Sequence, residues 1–207
     1  MAGSREEVAV IEILGRSIGL TTLLISLLSS ADRALVPEVP FDPEKLAGLL
    51  AEDKRANPTN YAILVMSEAA TLVPDKAAKY VASAHVRDEM AGIRQIGSRV
   101  TGAGAAVTEI LENIMRQRML FQPMSYLSRT GDPDGQDLLG AMNFATMAVN
   151  LLAEGKTGRL VAYRRGTNYV DEPLDVVTQN IGNVNVADYY DAQTYTPKPG
   201  ILWAARV

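Results

Sequence analysis

The sequence predicts an α/β fold built on a doubly wound, mainly parallel sheet. Apolar runs of strand length alternate along the chain with segments whose leucines recur every three or four residues, as on one face of a helix. The run from Tyr61 to Met66 is almost continuously apolar, which is typical of a parallel strand covered on both faces. Because sheets of this class bind ligands at the carboxyl ends of their strands, the residues after each strand are the first candidates for a site.

The first half of the chain is predicted to contain three strands and two helices in alternation. The strands are apolar runs at 8–14, 34–36 and 61–66. Two runs with leucines at helical spacing separate them: Leu20, Leu23, Leu24, Leu27 and Leu28, then Leu46, Leu49 and Leu50. Pro37 and Pro40 stop the second strand, and Asp42-Pro43 has the composition of a helix start.

The second half continues the alternation and ends in loops. Helical patterns cover 75–90 and about 105–115, and a fourth strand is predicted at 121–127. After a turn cluster at 130–135, a further helix has the apolar repeat Leu138, Met142, Ala145, Val149 and Leu152. Short strands are predicted at 160–163 and 168–170, followed by loops rich in Asn, Asp, Tyr and Pro.

Composition excludes several classes of function. Of the 207 residues 47% are hydrophobic and 21% charged, with a net charge of -4, as in ordinary globular proteins. The chain has no cysteine and a single histidine, His85, which excludes a thiolate or imidazole-rich metal centre. No basic stripe suits nucleic acid, and the uncharged stretch at 17–31 is too short for a bilayer. We therefore expect a cytoplasmic protein with neither nucleic-acid nor membrane partners.

Candidate functional residues follow three of the predicted strands. Gly15 and Arg16 follow the first strand where a helix is expected to begin, so backbone amides and a guanidinium can meet a phosphate there. Glu68 ends the third strand, where a carboxylate can accept hydrogen bonds from sugar hydroxyls, and Arg129 follows the fourth. Each has a structural alternative: Gly15 serves a turn with Ser17 as helix cap, Glu68 starts a helix, and Arg129 lies on the surface. Their common location at one sheet edge favours a sugar-phosphate site.

Other motifs carry less chemical information. Gly102-Ala103-Gly104 resembles part of a nucleotide-binding fingerprint, but it follows a polar helical stretch instead of a strand, so we do not assign it to a dinucleotide. His85 lies among alanines in a predicted helix and is expected to be a packing residue. Asp132 and Asp134 lie in the turn cluster, where aspartates usually accept hydrogen bonds from their own backbone.

Four ordered segments share the pattern of one known family. Residues 10–16, VIEILGR, resemble V-E-V-M-G-R, and residues 35–41, LVPEVPF, resemble I-P-E-x-P-F. Residues 65–68, VMSE, resemble a strand that ends in a glutamate, and residues 126–133, YLSRTGDP, resemble H/Y-x-x-R-x-G-x-P. Over nearly its whole length the chain therefore resembles the C-terminal half of the 6-phosphofructokinases, the half that binds fructose 6-phosphate.

The resemblance implies a set of substrate contacts and two departures from the family pattern. The contacts fall on Leu14, Gly15 and Arg16 around the sugar phosphate, Glu68 at the sugar hydroxyls, and Tyr126 with Arg129 at the 6-phosphate. Leu14 replaces the usual methionine, a change of similar volume. Leu120 stands where many members have an arginine that reaches the phosphate of a neighbouring subunit, and Arg116 and Arg118 are the candidates to replace that arginine.

The resemblance also implies that half of the catalytic machinery lies elsewhere. In the family the N-terminal half supplies the glycine-rich loops that hold the phosphoryl donor and magnesium, and the aspartate that acts as base. None of those motifs occurs in this sequence, so we expect no catalytic residue here. Phosphoryl transfer requires donor, metal and acceptor to be positioned together, so the chain alone is expected to catalyse little or nothing. The complete enzyme is expected to use Mg²⁺ with ATP or pyrophosphate, and the tyrosine form of the last motif is closer to the branch that contains pyrophosphate users.

The same resemblance divides the chain into two parts. Residues 1–127 are expected to form the acceptor-binding α/β domain, and residues 128–207 a helix and tail that return towards the absent donor-binding domain. The helix at about 136–153 is then expected to present an apolar face with no partner in this chain, an interface for a donor-binding half or for a homo-oligomer. Two alternatives to the phosphotransferase function are a non-catalytic, sugar-phosphate-binding regulatory subunit and an inactive fragment.

Overall fold

A four-stranded parallel sheet lies at the centre of the larger part of the protein. The computed structural model describes residues 2–15, 18–80, 103–124, 127, 130–164, 168–179 and 184–204. Its strands are β1 (Val8–Ile13), β2 (Arg33–Leu35), β3 (Ala62–Ser67) and β4 (Met119–Pro123). They lie in the order β2-β3-β1-β4, and every neighbouring pair is parallel. The predicted parallel α/β fold is confirmed.

Helices flank this sheet on both faces. In chain order they are α1 (Ala2–Arg5), α2 (Leu20–Leu28), α3 (Pro43–Ala56), α4 (Pro74–Tyr80) and α5 (Gly104–Met115). The chain crosses from β1 to β2 in one direction and from β3 to β4 in the other, so right-handed crossovers place α2 opposite α3 and α5. Helices α3 and α5 contact each other on their shared face. The winding therefore reverses between β1 and β3, the position at which open α/β sheets bind ligands.

Helix α3 begins as its sequence predicts. The side chain of Asp42 accepts hydrogen bonds from the backbone N–H groups of Glu44 at 2.8 Å and Lys45 at 3.2 Å, and Pro43 occupies the first turn. Its apolar face places Leu46 and Leu50 in the core, fully buried. The Asp42 cap and the spacing of the apolar residues both indicate the same helix, so this helix can be predicted from the sequence alone.

Helix α2 begins later than predicted. The expectation of a helix directly after Gly15-Arg16-Ser17 is wrong, since Gly19 occupies the cap position and the helix starts at Leu20. The backbone N–H of Gly19 donates to both carboxylate oxygens of Glu38, at 2.9 and 3.1 Å. Glu38, 19 positions further along the chain, thus binds the start of the helix. Ser17 was the predicted cap for this position.

Strand β4 is shifted from its predicted range. It spans Met119–Pro123, whereas a strand at 121–127 was expected. Met119 and Leu120 pair with Val8 and Ala9 of β1, so the strand starts two residues earlier. The helix predicted at 75–90 is present as α4 over Pro74–Tyr80, and the remainder of that prediction lies outside the described residues.

A separate unit contains a long helix and a β-hairpin. The chain divides into one unit of Met1–Ser128 with Asn183–Arg206 and another of Arg129–Gly182 with Val207. The elements of the second unit are α6 (Gly135–Ala153), β5 (Arg159–Arg164), antiparallel β6 (Asn168–Pro173) and α7 (Val176–Gln179). Tyr169 makes edge-on ring contacts with Phe144 at 5.2 Å and Tyr163 at 5.5 Å, which join the helix to the hairpin.

The opposite face of α6 is apolar and exposed. Its large side chains are Leu138, Met142, Val149 and Leu152, of which Met142 is 68% and Val149 64% accessible to solvent. These positions recur at intervals of four, seven and three residues, so they form one stripe along the helix. The apolar face expected on this helix is therefore present at the surface.

The C-terminal segment belongs to the first unit. It contains α8 (Val186–Tyr189), β7 (Tyr190–Asp191), β8 (Thr196–Pro197) and α9 (Ile201–Ala204) where only loops were predicted. The hydroxyl of Tyr190 donates to the carbonyl of Ala34 at 2.7 Å, and the N–H of Ala34 donates to the carbonyl of Tyr195 at 2.7 Å. Tyr190, Tyr195 and Ile201 are buried in the core of this unit. Isolated apolar residues in a polar stretch therefore pack into the core here.

Candidate functional site

The carboxyl ends of β1 and β3 form the candidate site. Ile13 and Ser67 are opposite each other in the parallel register, and the N–H of Glu68 donates to the carbonyl of Ile13 at 3.0 Å. The buried hydroxyl of Ser67 donates to the carbonyl of Gly15 at 2.6 Å. The structure therefore brings Gly15 and Glu68 together where the winding of the sheet reverses, as their positions after strands predicted, with Leu14 beside Gly15.

Glu68 lies in the turn after β3 and does not start a helix. The next helix, α4, begins at Pro74, so the interpretation of Glu68 as a helix-start acid is wrong. Its carbonyl accepts a hydrogen bond from the N–H of Ala103 at 3.0 Å, which ties the start of α5 to the end of β3. Glu68 is half-buried at this edge, and a carboxylate can accept hydrogen bonds from hydroxyl groups.

Glu12 is a residue of the site region that sequence reasoning missed. It lies in β1 and is only 3% exposed. Its Oε2 accepts a hydrogen bond from the N–H of Gly104 at 2.7 Å, and its carbonyl accepts one from Met124 at 2.8 Å. The available signal was a single carboxylate inside an otherwise apolar strand, since such a residue is buried only with polar partners. The backbone N–H of Gly104, the last residue of the Gly-Ala-Gly motif, is thus bound to Glu12.

Several candidate residues lie outside the described ranges. These are Arg16, Tyr126 and Arg129, together with His85 and Gly102, so their roles stay predictions. Leu120, at the position of the family's arginine, is half-buried in β4. Of the two candidate replacements, Arg116 is the left-handed residue that ends α5, and Arg118 is exposed before the strand.

The aspartates of the turn cluster cap a helix. Asp134 accepts hydrogen bonds from the N–H groups of Gln136 at 2.8 Å and Asp137 at 2.9 Å, and Asp137 accepts one in return from the N–H of Asp134. This reciprocal arrangement is a capping box, so the expectation that such aspartates bond nearby backbone is confirmed for Asp134.

Neither a metal centre nor a membrane span is found in the described part of the chain. No three histidine, aspartate or glutamate side chains there come together to hold an ion. None of the helices in the same ranges combines the length and apolar character needed to cross a bilayer.

Comparison with known proteins identifies the family. The family model for phosphofructokinase matches residues 1–152. The chain belongs to the phosphofructokinase family. It is 29% identical over 184 residues to the ATP-dependent 6-phosphofructokinase of Trichormus variabilis, covering 89% of this chain and 49% of that protein. The ATP-dependent 6-phosphofructokinase of Chloroflexus aurantiacus is 30% identical over 175 residues, covering 84% and 44%.

Solved phosphofructokinases share the fold. The pyrophosphate-dependent phosphofructokinase of Marinobacter aquaeolei has a TM-score of 0.66 at 16% identity, covering 98% of this chain and 50% of that one. Phosphofructokinase from Saccharomyces cerevisiae has a TM-score of 0.57 at 19% identity, covering 86% and 21%. The chain spans about half the length of the curated relatives it matches. Membership of the family, expected from four short motifs, is confirmed.

Proposed function

We propose that this chain is the acceptor-binding half of a 6-phosphofructokinase-like phosphotransferase. In the proposed reaction of cytoplasmic glycolysis, fructose 6-phosphate becomes fructose 1,6-bisphosphate. The single observation that carries the proposal is the meeting of the β1 end, Leu14–Gly15, with the β3 end, Ser67–Glu68, in a member of the phosphofructokinase family.

The residues at this edge have distinct proposed roles. Glu68 accepts hydrogen bonds from the sugar hydroxyls, and the backbone at Leu14 and Gly15 lines the sugar phosphate. Arg16 and Arg129 supply positive charge for the phosphate, with Tyr126 beside them, as the family resemblance implies. The bond between Ser67 and Gly15 supports this assignment, because it holds the two strand ends at a fixed separation before a ligand binds.

The phosphoryl donor is proposed to come from a second, donor-binding half. That half is proposed to hold Mg²⁺ with ATP or pyrophosphate, which supplies the transferable phosphoryl group and neutralises its charge. The length of the curated relatives, about twice that of this chain, supports the proposal. On its own the chain is then expected to bind substrate without turning it over.

The exposed stripe of α6 is the proposed docking face for the donor-binding half. Between Asp137 and Glu154 the helix has no charged residue, and Leu138, Met142, Val149 and Leu152 are all exposed on one side. An apolar stripe of this length on a helix is typical of a surface that a further helix or sheet covers. Self-association through the same stripe, as in a homo-oligomer, is the competing outcome of the test described in the Discussion.

A complementation assay tests the proposed function. The purified chain is mixed with a polypeptide corresponding to the part of the Trichormus variabilis relative that this chain does not match, and fructose 1,6-bisphosphate is measured with ATP or pyrophosphate and Mg²⁺. We expect product only in the mixture, and much less of it with Glu68→Gln. Rapid turnover by the chain alone contradicts the proposal. Substrate binding without product in any mixture favours the regulatory-subunit alternative.

A further inference from the structure

We propose that Glu12 is a positioning residue for the candidate site. Its buried carboxylate holds the start of α5 against the ends of β1 and β3, and thereby sets the position of Glu68 relative to Gly15. The inference rests on the proposed function for the identity of the ligand, whereas its structural content can be tested without any ligand.

The burial of Glu12 indicates a role beyond packing. It is 3% exposed in β1, where its neighbours in sequence, Ile11 and Ile13, are apolar. Burying a carboxylate is unfavourable unless hydrogen bonds replace its hydration, so an aliphatic side chain would fill the same space at lower cost. The bond from the N–H of Gly104 at 2.7 Å supplies such a replacement, and the position at the start of the 12-residue helix α5 favours negative charge.

Both strands of the site are tied to the same helix start. Glu12 of β1 accepts from Gly104, and the carbonyl of Glu68, next to β3, accepts from Ala103 at 3.0 Å. The consecutive amides of Ala103 and Gly104, at the start of α5, therefore bind Glu12 in β1 and Glu68 directly after β3. Loss of the Glu12 contact releases one of these two attachments, so Glu68 is expected to move with the loop that carries it.

The approach of Glu12 to Gly104 depends on the absence of a side chain at that position. A Cβ atom built on Gly104 would lie 2.7 Å from Oε2 of Glu12 and 2.5 Å from Cε2 of Phe121. The carbonyl of Glu12 in turn accepts from the N–H of Met124, directly after β4. Glu12 thus connects β1, the start of α5 and the exit of β4, the three places around which the candidate site is arranged.

The test compares three variants of Glu12 with a matched control. Glu12→Gln keeps an acceptor oxygen, Glu12→Leu removes it, and Glu12→Asp keeps the charge but withdraws it by one methylene. Glu112→Leu is the control, because Oε1 of Glu112 accepts from the N–H of Met119 at 2.8 Å, also a carboxylate-to-backbone bond of α5, at the other end of the helix. Fructose 6-phosphate affinity is measured by calorimetry, and hydrogen exchange is measured at the amides of Glu68, Ala103 and Gly104 without ligand.

We expect Glu12→Leu to weaken fructose 6-phosphate binding about tenfold or more, with Glu12→Gln within about threefold of the original chain. Glu112→Leu is expected to lower stability but leave affinity unchanged. If Glu12→Leu does not fold, Glu12→Asp takes its place with the same expectation. The proposal is overturned if Glu12→Leu binds fructose 6-phosphate as tightly as the original chain. It is also overturned if Glu112→Leu loses as much affinity as Glu12→Leu.

Hydrogen exchange separates this inference from the proposed function. If the original chain binds no fructose 6-phosphate, the proposed function fails, and the exchange data then decide on Glu12 alone. Faster exchange at Ala103, Gly104 and Glu68 in Glu12→Leu, with no such change in Glu112→Leu, supports the positioning role. Equal exchange in the variant and the original chain overturns it.

Discussion

The backbone N–H of Gly104 donates a hydrogen bond to Oε2 of Glu12 at 2.7 Å, which joins two residues 92 positions apart beneath the candidate site. Glycine permits this contact because a Cβ atom there would lie 2.5 Å from the ring of Phe121. The close approach therefore involves three elements at once: β1, β4 and the start of α5.

Gly104→Ala is expected to lower the free energy of unfolding by about 1 to 3 kcal/mol, as overpacking in a well-packed core does. The matched control is Gly48→Ala in α3, where a Cβ atom would meet nothing within 4 Å. The control should raise stability by about 0.5 to 1 kcal/mol, because alanine has the higher helix propensity. Chemical denaturation measures both, and equal effects of the two substitutions would contradict the packing shown at Gly104.

Glu44 is expected to titrate far below an ordinary glutamate. Hydrogen bonds from Lys76, Lys79 and Tyr80 lower the pKa of its carboxyl from 4.5 to about 2. Because the folded pKa lies below the unfolded one, the stabilisation is present above about pH 4.5 and is lost as pH falls towards 2. Carboxyl chemical shifts in an NMR titration measure this pKa. Lys79→Met should raise it, and a Glu44 that titrates near 4.5 in the folded protein would be inconsistent with the cluster.

The hydroxyl of Tyr190 links the C-terminal segment to the sheet. Tyr190→Phe is expected to reduce stability by about 0.5 to 1.5 kcal/mol, since it removes the bond to the carbonyl of Ala34. Burial raises the pKa of Tyr190 well above its usual 10, so its contribution is present below pH 10 and declines as pH rises further. Urea unfolding at pH 8 and pH 11 measures both effects. Tyr163→Phe, at an exposed ring, is the control and should change little.

The sequence predicted those elements whose signals are local. The continuous apolar run of β3 and the Asp42 cap of α3 appear where expected, because strand burial and helix capping depend on adjacent residues. The start of α2 was mistaken because Glu38, from beyond β2, binds Gly19. The short helices and strands of the C-terminal segment were missed because the burial of Tyr190 depends on a contact with Ala34, 156 positions away.

The candidate site was predictable to a similar extent and for the same reason. Gly15 and Glu68 could be selected because the ends of parallel strands meet at one edge, whatever the details of packing, whereas Leu14 came from the family resemblance alone. Glu12 was not selected, because a single carboxylate in an apolar strand does not show which group it binds, and its partner Gly104 lies 92 positions away.

The exposed stripe of α6 makes a prediction about assembly. Met142→Lys is expected to weaken association with the donor-binding half about tenfold or more, because it introduces a charge into an apolar contact. Asn150→Lys places the same charge on an exposed position of the same helix away from the stripe, and it should leave association unchanged. Analytical ultracentrifugation of the chain alone and of the mixture measures both. Loss of a homodimer in Met142→Lys, without an effect on the mixture, would assign the stripe to self-association instead.

The most direct test of the central claim is calorimetric titration of the folded chain with fructose 6-phosphate, beside Arg129→Ala and Glu68→Gln. We predict measurable binding that Arg129→Ala weakens about ten- to a hundredfold, the effect of losing one charge-assisted phosphate contact of about 1.5 to 3 kcal/mol. Glu68→Gln should weaken the binding of fructose 6-phosphate but leave that of inorganic phosphate unchanged, since Glu68 is proposed to bind hydroxyls. No binding by a folded sample, alone or with the donor-binding half, would contradict the account, as would equal affinity in all three proteins.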